Sequence, residues 1–372
     1  MIEINDKFKC CGCSACVQRC PKQCISLKED DEGFLYPVVD KENCIDCGLC
    51  EKVCPELHVA EERVPLNVYA IKHKNEEIRM KSSSGGVFTL LAEQIIDEDG
   101  VVFGARFDDS WEVMHDYAET KEDLDAFRGS KYIQSRIGNT FQQAEHFLKQ
   151  GRKVMFTGTP CQIAGLKKYL RKEYKNLLAV DFVCHGVPSP KVWRMYLKEI
   201  SLGENITRVN FRSKKVGWKK YRMVVNGKGC LIDELFYENT FMQTFLRDFI
   251  LRPSCHQCVC NAGRSGADIT MGDFWGIEKI LPEYDDDKGC GLILNYSNNG
   301  LDIYSTDWKE MTYNQALAGN PSIMDSVRIP INRNFYFHRL KRNNSMSLSW
   351  EEANSPMFLL RIYRKLYRTF NK

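Results

Sequence analysis

Residues 10–21 read CCGCSACVQRCP, and residues 44–55 read CIDCGLCEKVCP. Each is the string C-x2-C-x2-C-x3-C-P, so the first sixty residues hold an internal repeat. Three thiolates spaced two residues apart can wrap three irons of one cubane, and the fourth is placed to reach across to a second cubane. On that rule Cys10, Cys13, Cys16 and Cys54 hold one [4Fe–4S] cluster, and Cys44, Cys47, Cys50 and Cys20 hold another. A single C-x2-C pair would suit zinc equally well. Two complete copies point to iron. Cys11 and Cys24 fall outside the pattern and read as small buried side chains beside the clusters.

The spacing is that of a bacterial two-cluster ferredoxin, over residues 1–60. Between the copies, ISLKEDDEGFLYPVVD (25–40) reads as strand, acidic turn with a glycine, strand. So small a module stores little apolar area, and its clusters double as its staple. Residues 58–67, HVAEERVPLN, are charged, contain Pro65 and read as a linker.

The whole chain has 372 residues and 17 cysteines. A disulfide scaffold of secreted type would be short and would follow an apolar leader. The N-terminal MIEINDKFK is neither apolar nor basic enough for one, so the thiols read as metal ligands of a cytoplasmic protein. There is no run of 18 apolar residues, hence no expected membrane span. The net charge of +3 gives no support for nucleic acid as a partner.

From residue 66 the pattern changes to alternating strands and helices. NVYAIKH (67–73) and GVVFGARF (100–107) read as strands, and SGGVFTLLAEQIID (84–97) as an amphipathic helix. KVMFTG (153–158), TPCQIAGLKKYLRK (159–172) and NLLAVDFVC (176–184) make strand, helix, strand, with Thr159 as cap and Pro160 at the first helical position. In such a unit the strands are parallel, so Cys161 and Cys184 emerge on the same carboxyl edge, where open α/β sheets bind ligands. A third cysteine-rich stretch, SCHQCVC (254–260), supplies Cys255 and Cys258. The four together suit a third cluster, or a four-cysteine zinc site. SSSGG (82–86) opens a helix and leaves backbone N–H groups free for a phosphate, or is a plain cap. Neither G-x-G-x-x-G nor a Walker A string occurs.

Seven segments then carry a wider resemblance: SSSGGVFT, FRGSKYIQS, FTGTPCQIAGL, DFVCHGVPSP, GWKKYR, FILRPSCHQC and SGADITMGDFWGI, in that order. They resemble the coenzyme F420 hydrogenase/dehydrogenase beta-subunit family, in its bacterial form with a fused N-terminal two-cluster ferredoxin. The resemblance covers about residues 1–300. It implies an α+β chain: the ferredoxin-like domain, then an α/β flavin-binding core in two parts, 66–202 and 203–330; beyond it, residues 331–372 read as a helical basic tail. It also implies FAD, and a third [4Fe–4S] cluster on Cys161, Cys184, Cys255 and Cys258. Ser83, Ser84, Gly85, Gly86, Lys131, Tyr132, Gln134, Thr159 and Pro160 become the expected FAD contacts. Val259-Cys260 departs from the family's usual run, and Cys260 reads as a bystander.

The resulting expectation is an iron–sulfur flavoprotein oxidoreductase, fed by a redox partner protein or a ferredoxin. The alternatives are a non-catalytic electron-transfer subunit and a cluster-bearing binding protein. His185 and Asp273, beside the ligand motifs, are the expected proton donors or acceptors. The basic run FRSKKVGWKKYR (211–222) reads as a solvated face or a seat for an anionic substrate tail. MFLLRIYRKLYRTF (357–370) reads as an amphipathic helix with a basic face, suited to core packing or peripheral membrane contact.

Overall fold

The computed structural model describes residues 1–297, 302–303 and 306–355. The expected C-terminal helix at 357–370, with its membrane-contact reading, lies outside the described residues.

The two cysteine repeats follow the same path because left-handed residues fall at matching positions. Gly12 (φ +73°) and Ser14 (φ +63°) precede a short helix, Ala15–Arg19. Asp46 (φ +48°) and Gly48 (φ +70°) precede its counterpart, Leu49–Lys52. The expected hairpin joins them: β1 (Ile25–Glu29) pairs antiparallel with β2 (Leu35–Val39). The Asp30 carboxylate accepts from the N–H groups of Glu32 and Phe34 and closes the turn.

The core carries β3 (Asn67–Lys72), β4 (Val101–Phe107), β5 (Val113–Ala118), β6 (Val154–Thr157) and β7 (Leu177–Phe182). A separate three-stranded antiparallel sheet follows, β8 (Arg208–Ser213), β9 (Arg222–Asn226) and β10 (Cys230–Leu235). Then come β11 (Ile269–Asp273), β12 (Gly291–Asn295) and β13 (Asp307–Met311). The main sheet has the order β13-β3-β12-β11-β7-β6-β4-β5. Its centre, β11-β7-β6-β4, is parallel. Strands buried on both faces need no polar alternation, and all four residues of β6 are buried.

Alternation sorts the core into two layers. Phe103, Phe156 and Ala179 face the helices Thr140–Lys149 and Pro160–Leu170. Val102, Met155 and Val180 face the helix Val87–Ile96. The first layer continues into the ferredoxin domain through Cys13, Ala15 and Val53. That domain is therefore docked on the core. The segment expected to be a linker is tied down too: Arg63 donates to the carbonyls of Gly263 (2.8 Å) and Ala267 (2.6 Å).

Within the βαβ unit, Thr159 and Gln162 form a reciprocal capping box and Pro160 starts the helix. β6 and β7 are adjacent and parallel, so the sequence places Cys161 and Cys184 past the same sheet edge.

Candidate functional site

Three groups of cysteines surround three places. In the ferredoxin domain, Cys20, Cys44, Cys47 and Cys50 line one small cavity. Cys24 lines it as well, its sulfur 3.4 Å from that of Cys20. Cys16 lies within electrostatic range of Cys10 and Cys54, and Cys13 of Cys16 and Cys54. Burial pushes the Cys16 thiol up to about 12 and raises Cys54. Buried thiols crowded together resist ionising, so all four can be thiolates only around a compensating cationic core.

The third group is assembled from distant parts of the chain. Cys161, Cys184, Cys255 and Cys258 line a cavity of about 60 Å3 at the carboxyl edge of β6 and β7. Burial pushes Cys255 up to about 12, raises Cys258, and raises Cys184 further with help from Cys255 and Cys161. The Cys161 thiol is raised first by its contact with Cys11 and then by burial. Among the described residues, no three His, Cys, Asp or Glu side chains converge on a point suited to a single metal ion. The donors here enclose a volume, and a thiolate-rich donor set fits an iron–sulfur cluster.

Three further side chains share this cavity. Cys260 is buried in its wall. Cys11, which sequence reading set aside, reaches from the ferredoxin domain to the Cys161 thiol. Glu56 joins them, its carboxyl raised to about 7 by burial.

A much larger cavity, about 500 Å3, lies on the other side of residues 182–187, which line both. Ser83, Ser84, Gly85 and Gly86 form one wall at the start of the helix Val87–Ile96. The backbone N–H groups of a helix start, at its positive end, suit an anion. Lys131, Tyr132 and Thr159 line it too. Lys131 donates to three carbonyls of its own loop, and burial lowers it to about 7.

Two expected contacts lie elsewhere. Gln134 accepts from Arg252 Nη1 (3.0 Å) and donates to the Cys11 carbonyl (3.2 Å), so it serves the ferredoxin dock instead of the cavity. Pro160 lines the cysteine cavity. Both belong to stretches whose neighbours do face the large cavity; one-residue steps along an extended chain or a helix cap turn the side chain away.

The two expected proton carriers sit in the large cavity with different neighbours. His185 Nε2 is 2.6 Å from Asp248 Oδ1, and its ring stands edge-on to Phe245. Asp273 is bonded to the buried Arg212, whose charge it balances. A carboxylate paired with a buried guanidinium orients that group. Part of the basic run is likewise turned inward, while Lys215 and Lys220 stay exposed. Lys214 donates to the carbonyls of Arg79, Ser84 and Lys288, all at 2.8 Å. Lys219 bonds Asp285, and Arg222 bonds Asp233.

His115, missed by sequence reading, also lines this cavity, as does Arg212 from the basic run. His115 Nε2 lies 2.9 Å from the Thr157 carbonyl, an acceptor, so Nε2 carries the proton. Its Nδ1 is buried without a partner, and burial lowers the ring to about 4. Arg212 Nε and Nη2 are also buried and unpartnered. The guanidinium lies over the rings of Tyr221 (4.5 Å) and Trp275 (5.3 Å). The only sequence signal for His115 was a polar residue at an inward position of β5. These orphaned polar groups fit a large polar aromatic ligand such as a flavin.

Models of coenzyme F420 hydrogenase/dehydrogenase beta subunits match the chain in two pieces. The N-terminal model matches residues 68–140 and the C-terminal model residues 151–315. A 4Fe-4S dicluster domain model matches residues 9–57. A search of curated proteins gives no match. Among solved structures, one similar chain comes from the F420-reducing [NiFe] hydrogenase complex of Methanosarcina barkeri. It is 17% identical, with 75% of this chain and 94% of that chain covered, at a TM-score of 0.48.

Proposed function

This chain belongs to the coenzyme F420 hydrogenase/dehydrogenase beta-subunit family, with a fused 4Fe-4S dicluster domain, and we propose that it is an iron–sulfur flavoprotein oxidoreductase. In this reading the ferredoxin cysteines hold two [4Fe–4S] clusters. Cys161, Cys184, Cys255 and Cys258 hold a third, and the large cavity holds FAD. When bound, FAD exchanges hydride with an organic substrate on one side and single electrons with clusters on the other.

The observation that carries the proposal is the shared wall. Residues 182–187, including Cys184 and His185, line both the cysteine cavity and the large one. One strand end thus separates a one-electron site from a ligand site. Ser83–Gly86 would hold the FAD phosphates. His115 Nδ1 and the Arg212 fork offer an acceptor and donors to polar edges of the bound ligands. His185, oriented by Asp248, would carry the proton at flavin or substrate.

At the other end, Cys47 is exposed, and Ile45, Leu57 and Val59 beside the second repeat are exposed too. An external one-electron carrier, protein or ferredoxin, would meet the chain there. None of the 17 cysteines is in a disulfide, which suits a reducing cytoplasm. No helix among the described residues is long and apolar enough to cross a membrane.

The test is cofactor stoichiometry in anaerobically reconstituted protein. Three four-iron clusters give about 12 Fe per chain. Cys161→Ser should drop this to about 8 while leaving the ferredoxin signals intact. A wild-type count near 8 that is unchanged in Cys161→Ser removes the third cluster. Failure of FAD to bind the intact chain removes the oxidoreductase reading and leaves an electron-transfer or binding role.

A further inference from the structure

Arg252 is among the largest side chains with no solvent exposure at all. It lies three residues before Cys255 and reaches out of the core into the ferredoxin domain. Its Nε donates to the Cys10 carbonyl (2.7 Å), and its Nη2 to the Leu35 carbonyl (3.0 Å) and the Cys10 sulfur (3.5 Å). Its Nη1 donates to Gln134 (3.0 Å). The guanidinium lies over the Tyr36 ring at 4.3 Å.

What is missing is a directly bonded carboxylate: Glu56 lies within electrostatic range of Arg252 and forms no ion pair with it. Among the described residues no ion pair involves Arg252, whereas the buried Arg79, Arg212 and Arg333 each have one. An unpaired buried charge is strongly destabilising. Among the described residues, the only atoms of anionic character that Arg252 touches directly belong to Cys10, in the proposed reading a ligand of the first ferredoxin cluster. Four thiolates outweigh the positive charge of a four-iron core, so a filled site is the anion that the guanidinium lacks.

The second repeat shows the asymmetry. At Gly12 an added Cβ would lie 2.8 Å from Arg252 Nη1; at the matching position the second repeat carries Asp46, side chain exposed. The guanidinium occupies space that the repeat itself would otherwise fill.

We propose that Arg252 is a positioning residue for the cluster at Cys10, Cys13, Cys16 and Cys54, holding its reduction potential above the value its thiolates alone would set. Positive charge and an N–H···S bond both favour the reduced cluster. Each transfer moves one electron: this cluster is reduced as its neighbour, or an external one-electron donor, is oxidised, and no proton or bond changes hands. Arg252 also accepts the Cys255 N–H at its carbonyl (2.9 Å), so one residue braces ligands of two sites.

The experiment is a potentiometric titration of the reconstituted full chain, followed by the paramagnetic signals of the reduced clusters. Cys47→Ser, in the other ferredoxin site, identifies which signal is which. Arg252→Met should shift the midpoint of the Cys10-site signal to lower potential and leave the Cys47-site midpoint in place. Arg252→Lys keeps the charge and loses the fork, and should shift the same midpoint by a smaller amount. An unchanged midpoint in Arg252→Met at full iron content overturns the proposal, as does an equal shift of both ferredoxin signals. If Arg252→Met fails to hold iron, Arg252→Lys decides: a downward shift confined to the Cys10 site supports the role, and an unmoved midpoint overturns it. A wild-type ferredoxin domain that binds fewer than two clusters sinks the ligand assignment and this proposal together, and shows before any variant is made. Loss of FAD binding alone would leave this proposal standing.

Discussion

Gly165 sits in the middle of the helix Pro160–Leu170, where propensity alone recommends replacing it. Glycine inside a helix costs about 1 kcal/mol relative to alanine, so Gly165→Ala would be expected to stabilise. The structure reverses that expectation. An added Cβ would lie 2.7 Å from Cys13 Cβ and 2.9 Å from its sulfur, closer than such atoms approach. Phe141 closes a third side at 3.5 Å. Overpacking of this kind costs about 1–3 kcal/mol. Cys13 cannot move aside if its sulfur is fixed on a cluster, so the upper part of that range applies to the loaded protein. Set against the propensity gain, the net is about 1–2 kcal/mol of destabilisation at the ferredoxin–core contact. That corresponds to roughly a tenfold rise in the open fraction of the contact, and a comparable rise in the rate at which a chelator strips the adjacent cluster. The assay follows visible cluster absorbance under anaerobic chelation, with a thermal melt in parallel. A Gly165→Ala protein with full iron, a higher melting temperature and unchanged stripping would refute the reasoning, because propensity would then have outweighed packing.

Asp286 pairs both oxygens with the Arg79 fork (2.6 and 2.5 Å), and, although burial alone would raise it, these bonds bring it down to about 2. Asp286→Asn should lower stability by about 1–3 kcal/mol, since Asp286 is part-exposed, and should weaken flavin retention, because this loop backs Ser84; denaturant titration and gel filtration of the loaded protein check both. Lys214 is lowered from 10.5 to about 7, by burial first and then by Arg212 and Arg79. Between those pH values the unfolded chain binds the proton that the folded chain has released, so this residue makes stability rise with pH. Lys214→Met should flatten that rise, measured as the difference in denaturation midpoint between pH 7 and 9; a parallel pH dependence in the two proteins would refute it.

The sequence was most legible where backbone geometry alone fixes placement. Two C-x2-C-x2-C-x3-C-P strings specify ligand spacing within a turn or two of chain, and no tertiary contact is needed to read them. The strand–helix–strand at 153–184 was readable for a similar reason: a short crossover leaves one parallel arrangement, which carries Cys161 and Cys184 to one edge. Side-chain direction at the junction of two domains was not. Gln134 sits in a motif whose neighbours line the large cavity, yet its own amide serves Arg252 and Cys11. Cys11 looked like filler because its partner, Cys161, lies 150 residues away. The basic run at 211–222 read as a solvated face or an anion seat, since the groups that take up Arg212 and Lys214, the Asp273 carboxylate and the carbonyls of Arg79, Ser84 and Lys288, lie far off in sequence. In each case the deciding partner is distant in sequence, and local pattern carries no signal for it.

The segment between the two cavities shows how tightly such partners constrain one another. After Cys184 and His185, Gly186 takes φ +143°, a conformation L side chains rarely adopt. An added Cβ there would lie 2.7 Å from Leu251 and 3.3 Å from Cys255 Cβ. Val187 then donates its N–H to the Cys255 sulfur at 3.4 Å, and its carbonyl accepts from Arg252 N–H at 3.0 Å. The wall of the large cavity is thus braced by the residue that clasps Cys10. A displacement at the ferredoxin dock would be passed through Arg252 and Val187 to the ring of His185 within one short stretch of backbone. If electrons enter at the ferredoxin domain, their route and the rigidity of the ligand site depend on the same few bonds, so perturbing the dock should change substrate turnover and cluster potential together.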